Sequence, residues 1–185
     1  MNQLSDDAVM SRVKDGQVEM LAILFERYHV RIFNFFLRLS NDRPLSEDLA
    51  QELFFRILKY RHTYRGESAY SSWMYQIARN VHIDHLRRRH ADTPLEELWE
   101  KEPSTPEATP AQRAESNQEA ALLNRALARL PLRKREVLLL SRFQDLSYQE
   151  IAGLFECSVE AVKVLVHRAV KDLRKNFLEL KGGLS

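Results

Sequence analysis

Apolar residues recur at helical spacing through most of this chain. Between residues 18 and 40 they fall at intervals of three and four, which predicts a long helix buried on one face. The members of this stripe are Leu21, Leu24, Phe25, Tyr28, Ile32, Phe35, Phe36 and Leu39. Before it, Ser5 can cap a shorter helix that runs to about Lys14. The pattern therefore predicts an all-α fold.

The next predicted helix, at about residues 45–61, follows a turn at 41–44 and carries two different stripes. Leu49, Leu53, Phe54 and Ile57 form an apolar face, and Asp48, Gln51, Glu52 and Phe55 form a second face. A large aromatic among polar side chains is typical of an interface anchor. The alternative is that Phe55 packs against a neighbouring helix.

Residues 62–90 combine aromatic side chains with arginines. Gly66 and several small residues predict a loop that enters a helix from about Ser71 to His90. The residues concerned are Tyr64, Tyr70, Trp73 and Tyr75, with Arg65, Arg79, Arg87, Arg88 and Arg89. Such a mixture can stack unpaired bases and hold a single-stranded backbone, and Asn80 can donate to and accept from a base edge. Taken alone, such aromatics more often belong to the hydrophobic core.

Residues 91–116 differ from the rest of the chain. They hold four of the six prolines and carry a net charge of −5, whereas residues 1–90 carry +3 and residues 117–185 carry +4. A segment with so little apolar periodicity cannot order itself by burial. We therefore expect two small helical domains, residues 1–90 and 117–185, joined by a flexible, acidic, proline-rich linker at 91–116.

The C-terminal domain contains a predicted helix-turn-helix. Ser116 caps a first helix that ends near Leu130. Further on, Ser147 and Glu150 form a capping box, so a helix begins there and runs to about Phe155. The chain breaks at Cys157–Ser158, and Ser158 caps a second helix to about Lys175.

The second of these helices has two chemically distinct faces. Val162, Leu165, Val166, Ala169 and Leu173 form an apolar stripe. Lys163, Val164, His167, Arg168, Lys171, Arg174 and Lys175 lie on the opposite side. A helix that packs through one face and is basic on the other suits the major groove of DNA. The alternative is an ordinary solvated basic face.

Several classes of function lack support in the sequence. The chain has one cysteine, no signal-peptide pattern at its start and no apolar run long enough to span a membrane. It has no phosphate-binding glycine loop and no nucleophile motif. His82 and His85 lack the further ligands that a zinc site needs. We therefore expect no enzymatic activity, metal, cofactor or small-molecule substrate.

Three stretches together resemble the extracytoplasmic-function (ECF) sigma factors, the small promoter-specificity subunits of bacterial RNA polymerase. They are EDLAQELFFRIL at 47–58, YRGESAYSSWMYQIARNVHIDHLRRR at 64–89, and LPLRKREVLLLSRFQDLSYQEIAGLFECSVEAVKVLVHRAVKDL at 130–173. The resemblance implies an N-terminal domain that binds core RNA polymerase and melts the promoter near the start site. It also implies a C-terminal domain that reads the upstream element as duplex DNA.

The resemblance implies roles for individual residues, according to their positions in the three matching stretches. The polymerase-binding residues are Asp48, Gln51, Glu52 and Phe55. The residues for promoter melting and single-stranded DNA are Arg65, Ser68, Ala69, Tyr70, Trp73, Arg79 and Asn80. Those for duplex DNA are Lys163, Val164, His167, Arg168, Lys171 and Lys175. Leu165 stands where many relatives have a second arginine, and Val164 offers only apolar contact, so the promoter sequence cannot be copied from a relative.

The resemblance also implies an anti-sigma factor as a partner. The chain would then be cytoplasmic, and held at the inner face of the membrane when that partner is membrane-anchored. The main rival interpretation is a free-standing helix-turn-helix repressor or activator that acts without polymerase. A second rival is a recombinase-like enzyme, which would need a nucleophile in a separate catalytic domain. A free-standing repressor or activator does not explain the stripe from Asp48 to Phe55.

Overall fold

The computed structural model describes residues 4–89, 94 and 118–182. Every regular element in these residues is helical, as predicted. They form two compact units, one of residues 4–36 and 43–89 and one that groups the segment 37–42 with 118–182. The predicted linker at 91–116 lies outside the described residues apart from Pro94, as does the predicted cap Ser116.

The N-terminal unit contains four α-helices. Ser5 caps the first, with its hydroxyl accepting from the N–H of Ala8 at 3.2 Å. A 3₁₀ turn at Val18–Met20 precedes the second helix, and another at Arg61–Thr63 follows the third. The helices are α1 (Asp6–Lys14), α2 (Leu21–Ser40), α3 (Arg43–Lys59) and α4 (Tyr70–Arg89).

The helix α3 begins two residues earlier than predicted, because Pro44 does not precede it but lies in its first turn. Amides in the first turn of a helix have no acceptor within the helix, so the missing N–H of proline costs nothing there. The same helix ends at Lys59 rather than Arg61. The turn predicted at 41–44 is therefore confined to Asn41 and Asp42.

Most of the predicted apolar stripe on α2 is buried. The buried members are Leu24, Tyr28, Ile32, Phe35, Phe36 and Leu39. Leu21 is half-buried, and Phe25 is 43% exposed. Its ring stacks on His29 in the same helix and contacts the edge of Phe54 on α3. The prediction that Phe25 belongs to the buried face was therefore wrong, since the stripe is wider than the surface that its neighbours cover.

The C-terminal unit also contains four α-helices. They are α5 (Gln118–Ala128), α6 (Leu132–Leu138), α7 (Tyr148–Phe155) and α8 (Val159–Gly182). A π-helical turn at Leu139–Phe143 continues α6. The last helix extends to Gly182, seven residues beyond the predicted end, and packs against the other three.

A buried arginine fixes the turn between α5 and α6. The Nη2 atom of Arg135 donates to the carbonyl oxygens of Ala128 at 2.6 Å and of Leu130 at 2.9 Å. The Ala128 carbonyl ends α5 and the Leu130 carbonyl comes just after it. Carbonyl groups at the end of a helix have no N–H partner within the helix, and Arg135 supplies one. Burial lowers the pKa of Arg135 to about 10, so the side chain still carries its charge at neutral pH.

Candidate nucleic-acid interface

The start of α7 and the turn between α7 and α8 have the capping geometry that the sequence predicts. Ser147 Oγ accepts from the N–H of Glu150 at 3.2 Å, and Glu150 Oε2 accepts from the N–H of Ser147 at 2.8 Å. Ser158 Oγ accepts from the N–H of Ala161 at 3.1 Å and begins α8. The turn starts one residue earlier than predicted, because Glu156 ends α7 in the left-handed conformation at φ 51°.

The two faces of α8 separate as predicted. Val162, Val166 and Ala169 are buried against the unit, while Leu165 and Leu173 are half-buried. The residues predicted to lie opposite the apolar stripe are all exposed: Lys163, Val164, His167, Arg168, Lys171, Arg174 and Lys175. Val164 places an apolar side chain, 49% exposed, in the middle of this basic surface. We call this set of seven residues the basic face of α8.

The acids of α8 do not cancel the charge of the basic face. Asp172 accepts a hydrogen bond of 2.7 Å from Lys134 on α6, so its carboxylate is paired inside the unit. Glu179 lies one turn beyond Lys175. Its carboxylate oxygens are 3.9 Å from Lys175 Nζ and 3.9 Å from Arg129 Nη1. The Lys175 side chain remains 74% exposed. Glu160 is exposed in the first turn of α8, but the five basic residues of this face outnumber it, so Arg168 and Lys171 lie on a net positive surface.

The helix α3 exposes the second stripe that the sequence predicts. Leu49, Leu53, Phe54 and Ile57 are buried, whereas Asp48 and Gln51 are exposed and Phe55 is 60% exposed. Within the part of the chain that the structure describes, Phe55 is therefore not packed into a neighbouring helix. We call Asp48, Gln51, Glu52 and Phe55 the α3 stripe.

Glu52 differs from the other members of the α3 stripe because it is half-buried and already paired. Its carboxylate accepts a hydrogen bond of 2.6 Å from Arg56, one turn later on the same helix. Arg56 also donates to Asp84 on α4 at 2.6 Å. Sequence reasoning missed Arg56, although its spacing of four residues from Glu52 is a recognisable signal for such a pair.

The aromatic and arginine-rich segment forms an exposed loop between two buried tyrosines. Residues 65–69 are exposed, and Gly66 adopts the left-handed conformation at φ 70°. We call these five residues the recognition loop; they include the predicted Arg65, Ser68 and Ala69. Tyr64 and Tyr70 flank the loop and are 2% and 1% exposed.

Tyr70 is therefore a packing residue in this structure rather than a stacking platform. Its ring lies edge-on to Tyr28 at 5.5 Å between centroids and 6.2 Å from Trp73. No face of the ring is open to a base. Trp73 and Arg79 are half-buried, while Asn80 is exposed. Of the predicted single-strand residues outside the loop, Asn80 is the most accessible.

Two acids of α1, which sequence reasoning treated only as part of a helix start, contact this region. Asp6 accepts hydrogen bonds of 2.5 Å from Arg27 and from the hydroxyl of Tyr28 on α2. Asp7 Oδ1 accepts from the hydroxyl of Tyr64 at 2.6 Å and from the N–H of Tyr70 at 2.8 Å. Burial, together with the bond to Asp7, raises the pKa of Tyr64 above the ordinary range.

Across residues 4–89 and 118–182, no group of three His, Cys, Asp or Glu side chains lies close enough to hold a metal ion. Among the helices described, none is long and apolar enough to cross a membrane.

The fold and its exposed faces define a helix-turn-helix protein whose second domain presents a basic helix. Two family profiles match the chain in the same two regions. The family described as Sigma-70 region 2 matches residues 24–91, and that described as Sigma-70, region 4 matches residues 120–173. Together they cover more than half of the chain.

Individual relatives agree with these profiles. The RNA polymerase sigma factor YlaC of Bacillus subtilis is 31% identical over 83% of this chain and 89% of its own length. The ECF RNA polymerase sigma factor SigX of the same organism is 29% identical over 85% and 84%. The chain therefore belongs to the ECF sigma factors of the sigma-70 family, which are transcription initiation factors.

A solved structure has the same fold. The sigma factor RpoE, in complex with the anti-sigma factor NepR from Bartonella quintana, aligns with a TM-score of 0.67 at 22% identity. The alignment covers 88% of this chain and 96% of RpoE. Family membership also decides between the interpretations left open by the sequence, because neither a free-standing repressor nor a recombinase accounts for both matched regions.

Proposed function

We propose that this ECF sigma factor binds core RNA polymerase through the α3 stripe. The exposure of Phe55 is the observation that carries this proposal. A large aromatic that is 60% exposed, on a helix whose other face is buried, is stabilised when a partner covers it. Asp48 and Gln51 flank it with exposed polar groups. Glu52 contributes less directly, since Arg56 already binds its carboxylate.

We propose that the basic face of α8 enters the major groove of the upstream promoter element. Lys163, His167 and Arg168 lie in the first half of the helix, which is the part that contacts base edges in helix-turn-helix proteins. Lys171 and Lys175 lie later on the same face and contact phosphates. Val164 provides an apolar contact of the kind that a thymine methyl group accepts.

We propose that the recognition loop and the exposed side of α4 hold the melted promoter strand. Arg65 supplies a cation and Ser68 a hydroxyl, while Ala69 and Gly66 leave room for a nucleotide. Asn80 presents both a donor and an acceptor to a base edge. Trp73 and Arg79 also lie on α4 and are half-buried. Tyr70 supports the loop from beneath, as its burial indicates.

We infer that an anti-sigma factor controls this chain. The similarity to RpoE, which was solved with NepR, supports this inference. The chain would act in the cytoplasm, and at the inner face of the membrane while a membrane-anchored anti-sigma factor holds it. It would act as an initiation factor rather than an enzyme, with promoter DNA and polymerase as its partners and no small-molecule substrate.

The decisive experiment is reconstituted transcription. Core RNA polymerase from the source bacterium is incubated with the purified chain and a library of genomic DNA fragments, and the transcripts are sequenced. We expect transcripts that begin at a small set of promoters sharing one upstream motif. Polymerase without the chain is the control. Equal transcription with and without the chain would show that it does not direct initiation.

A further inference from the structure

A single carboxylate oxygen joins both ends of the recognition loop. Asp7 Oδ1 accepts from the Tyr64 hydroxyl at 2.6 Å and from the Tyr70 N–H at 2.8 Å, and these two residues directly flank the loop. The acceptor comes from α1, more than fifty residues earlier in the chain. The bonds therefore close the loop from outside rather than from within it.

The loop has little else to fix its shape. Within the described residues, 65–68 make no hydrogen bond, and all five loop residues are exposed. At the C-terminal end, the carbonyl of Ala69 accepts from Ser72 and Trp73 as α4 begins. A loop held only at its ends has many conformations, and fixing those ends removes part of that freedom. Asp7 therefore limits the conformations that the loop presents.

Both bonds to Asp7 are of a strong kind. The Tyr70 amide is the first of α4, and the first amides of a helix have no acceptor inside the helix. A carboxylate at this position also interacts favourably with the helix dipole. The Tyr64 hydroxyl is largely buried, and a phenol that donates to a carboxylate makes a charge-assisted bond.

The neighbouring acid, Asp6, makes different hydrogen bonds. Asp6 accepts hydrogen bonds from Arg27 and Tyr28 and so attaches α1 to α2, and neither bond involves the loop or its flanking tyrosines. The two adjacent carboxylates thus separate attachment of the helix from attachment of the loop. This separation provides a matched control on the same helix turn.

We propose that Asp7 is a positioning residue for capture of the melted promoter strand. It holds Tyr64 and Tyr70, and through them fixes the recognition loop in the conformation that receives unpaired DNA. A loop already ordered before binding loses less entropy when the strand arrives, so the affinity for single-stranded DNA is higher. The inference rests on the proposed role of the loop in melting.

The test compares Asp7→Ala with Asp6→Ala in the full chain bound to core polymerase. The probe is a fluorescent single-stranded oligonucleotide with the non-template sequence of a promoter that the chain transcribes. We expect Asp7→Ala to weaken binding about tenfold, because it removes two bonds of the charge-assisted kind. We expect the affinity of Asp6→Ala for the oligonucleotide to stay within about twofold of that of the original chain, since the bonds from Tyr64 and Tyr70 to Asp7 remain. Asp7→Asn, which keeps an acceptor oxygen, should recover part of the loss.

Hydrogen–deuterium exchange of the free proteins gives a readout that general destabilisation would not reproduce. The hydrogen-bonded amides of Tyr70, Ser72 and Trp73 at the start of α4 should exchange faster in Asp7→Ala than in Asp6→Ala, while the amides of α8 exchange alike in both. The proposal fails if the two alanine variants bind single-stranded DNA equally well, or if exchange of these three amides is unchanged by Asp7→Ala.

Two further variants separate this proposal from the function on which it rests. Asn80→Ala and Arg65→Ala remove groups that are proposed to contact the strand. If these variants lose affinity and Asp7→Ala does not, the loop captures DNA but Asp7 does not position it. If none of the three loses affinity, the proposed melting role of the loop is wrong, and the role of Asp7 is wrong with it.

Discussion

The guanidinium of Arg56 on α3 donates to Asp84 on α4 at 2.6 Å, and to Glu52 on its own helix at the same distance. This arrangement links the two helices and neutralises Glu52 before any partner binds. If the α3 stripe binds polymerase as proposed, Phe55 is its main source of binding energy, with Asp48 and Gln51 as exposed polar neighbours. It also means that Glu52 and Phe55 should respond differently to mutation.

We expect Phe55→Ala to weaken binding to core RNA polymerase by about 2 kcal/mol, because an aromatic anchor that becomes buried in an interface carries much of its energy. Glu52→Gln removes the charge but keeps an acceptor for Arg56, and should change the affinity by less than about 0.5 kcal/mol. Affinity is measured by titration of labelled core polymerase. Helicity measured by circular dichroism should be unchanged in both variants.

The opposite outcome would be equally informative. If Phe55→Ala binds normally and Glu52→Gln does not, polymerase recognises the charged network around Arg56 rather than the exposed aromatic. The α3 stripe would then have to be redefined around Glu52 and Asp84.

The sequence predicted the faces of α3 and α8 well because each helix carries its own pattern. Leu53 and Phe55 differ by two positions, which in a helix places them on different sides whatever surrounds them. The exposure of Phe25 was predicted wrongly, and the burial of Tyr70 was left open. Their burial depends on where the edge of a neighbouring helix runs, and periodicity within one helix contains no information about that edge.

Long-range polar contacts were not predictable for a related reason. Asp7 contacts Tyr64 across more than fifty residues, and Arg135 inserts between α5 and α6. Any acid near a helix start can cap that helix, so Asp7 gave no sign of a second partner. A charged residue in an amphipathic helix is usually solvated, so burial of Arg135 had no local signal either.

Asn80→Ala should reduce promoter opening without affecting duplex recognition. The side chain is exposed on α4, so its removal should not disturb the hydrophobic core. A flipped base costs a few kcal/mol to unstack, and each lost contact to it lowers the population of open complex. Permanganate reactivity of the melted region should fall several-fold, while binding of the C-terminal unit to upstream duplex DNA stays constant. Unchanged permanganate reactivity would remove Asn80 from the single-strand surface.

Tyr70→Phe should stabilise the N-terminal unit slightly. The Tyr70 hydroxyl is buried and has no hydrogen-bond partner among the described residues. Removing an unsatisfied buried hydroxyl while keeping the ring should raise the free energy of unfolding by about 1 kcal/mol. Chemical denaturation measures this change. Promoter opening should match that of the original chain, and a loss of opening would show that the hydroxyl itself contacts DNA.

Stability should fall above pH 10 because of three tyrosines. Burial raises the pKa values of Tyr28, Tyr64 and Tyr70 above the ordinary value of 10.0, and bonds to Asp6 and Asp7 raise those of Tyr28 and Tyr64 further. The unfolded chain releases these phenol protons near pH 10, while the folded chain keeps them. The folded state then binds more protons, so its stability is lost as the pH rises.

The measurement is the free energy of unfolding between pH 8 and about 11, compared with Tyr64→Phe. The variant should lose less stability over this range, because one of the three titrating groups is gone. Arg135 acts in the opposite direction, since its pKa is lowered by burial, but it is present in both proteins and cancels in the comparison. Parallel curves would show that Tyr64 does not couple to folding.

The last prediction separates base recognition from phosphate contact on α8. Arg168 lies mid-way along the basic face, and its guanidinium can pair with two acceptors of one guanine, a contact worth roughly 1–3 kcal/mol of discrimination. Lys175 lies two turns later and is 74% exposed, where the helix leaves the groove. Phosphate contacts set affinity and salt dependence but carry no base preference.

We therefore expect Arg168→Ala to relax base preference at one position of the upstream element. Lys175→Ala should weaken binding evenly across sequences and reduce the salt dependence of the affinity by about one counterion. Both variants are titrated against a panel of single-base promoter variants at several salt concentrations, with Glu179→Gln as a control for the neighbouring charge. If Arg168→Ala lowers affinity for every promoter variant equally, Arg168 contacts only phosphate. The helix would then lie across the groove with a different part of its basic face toward the bases.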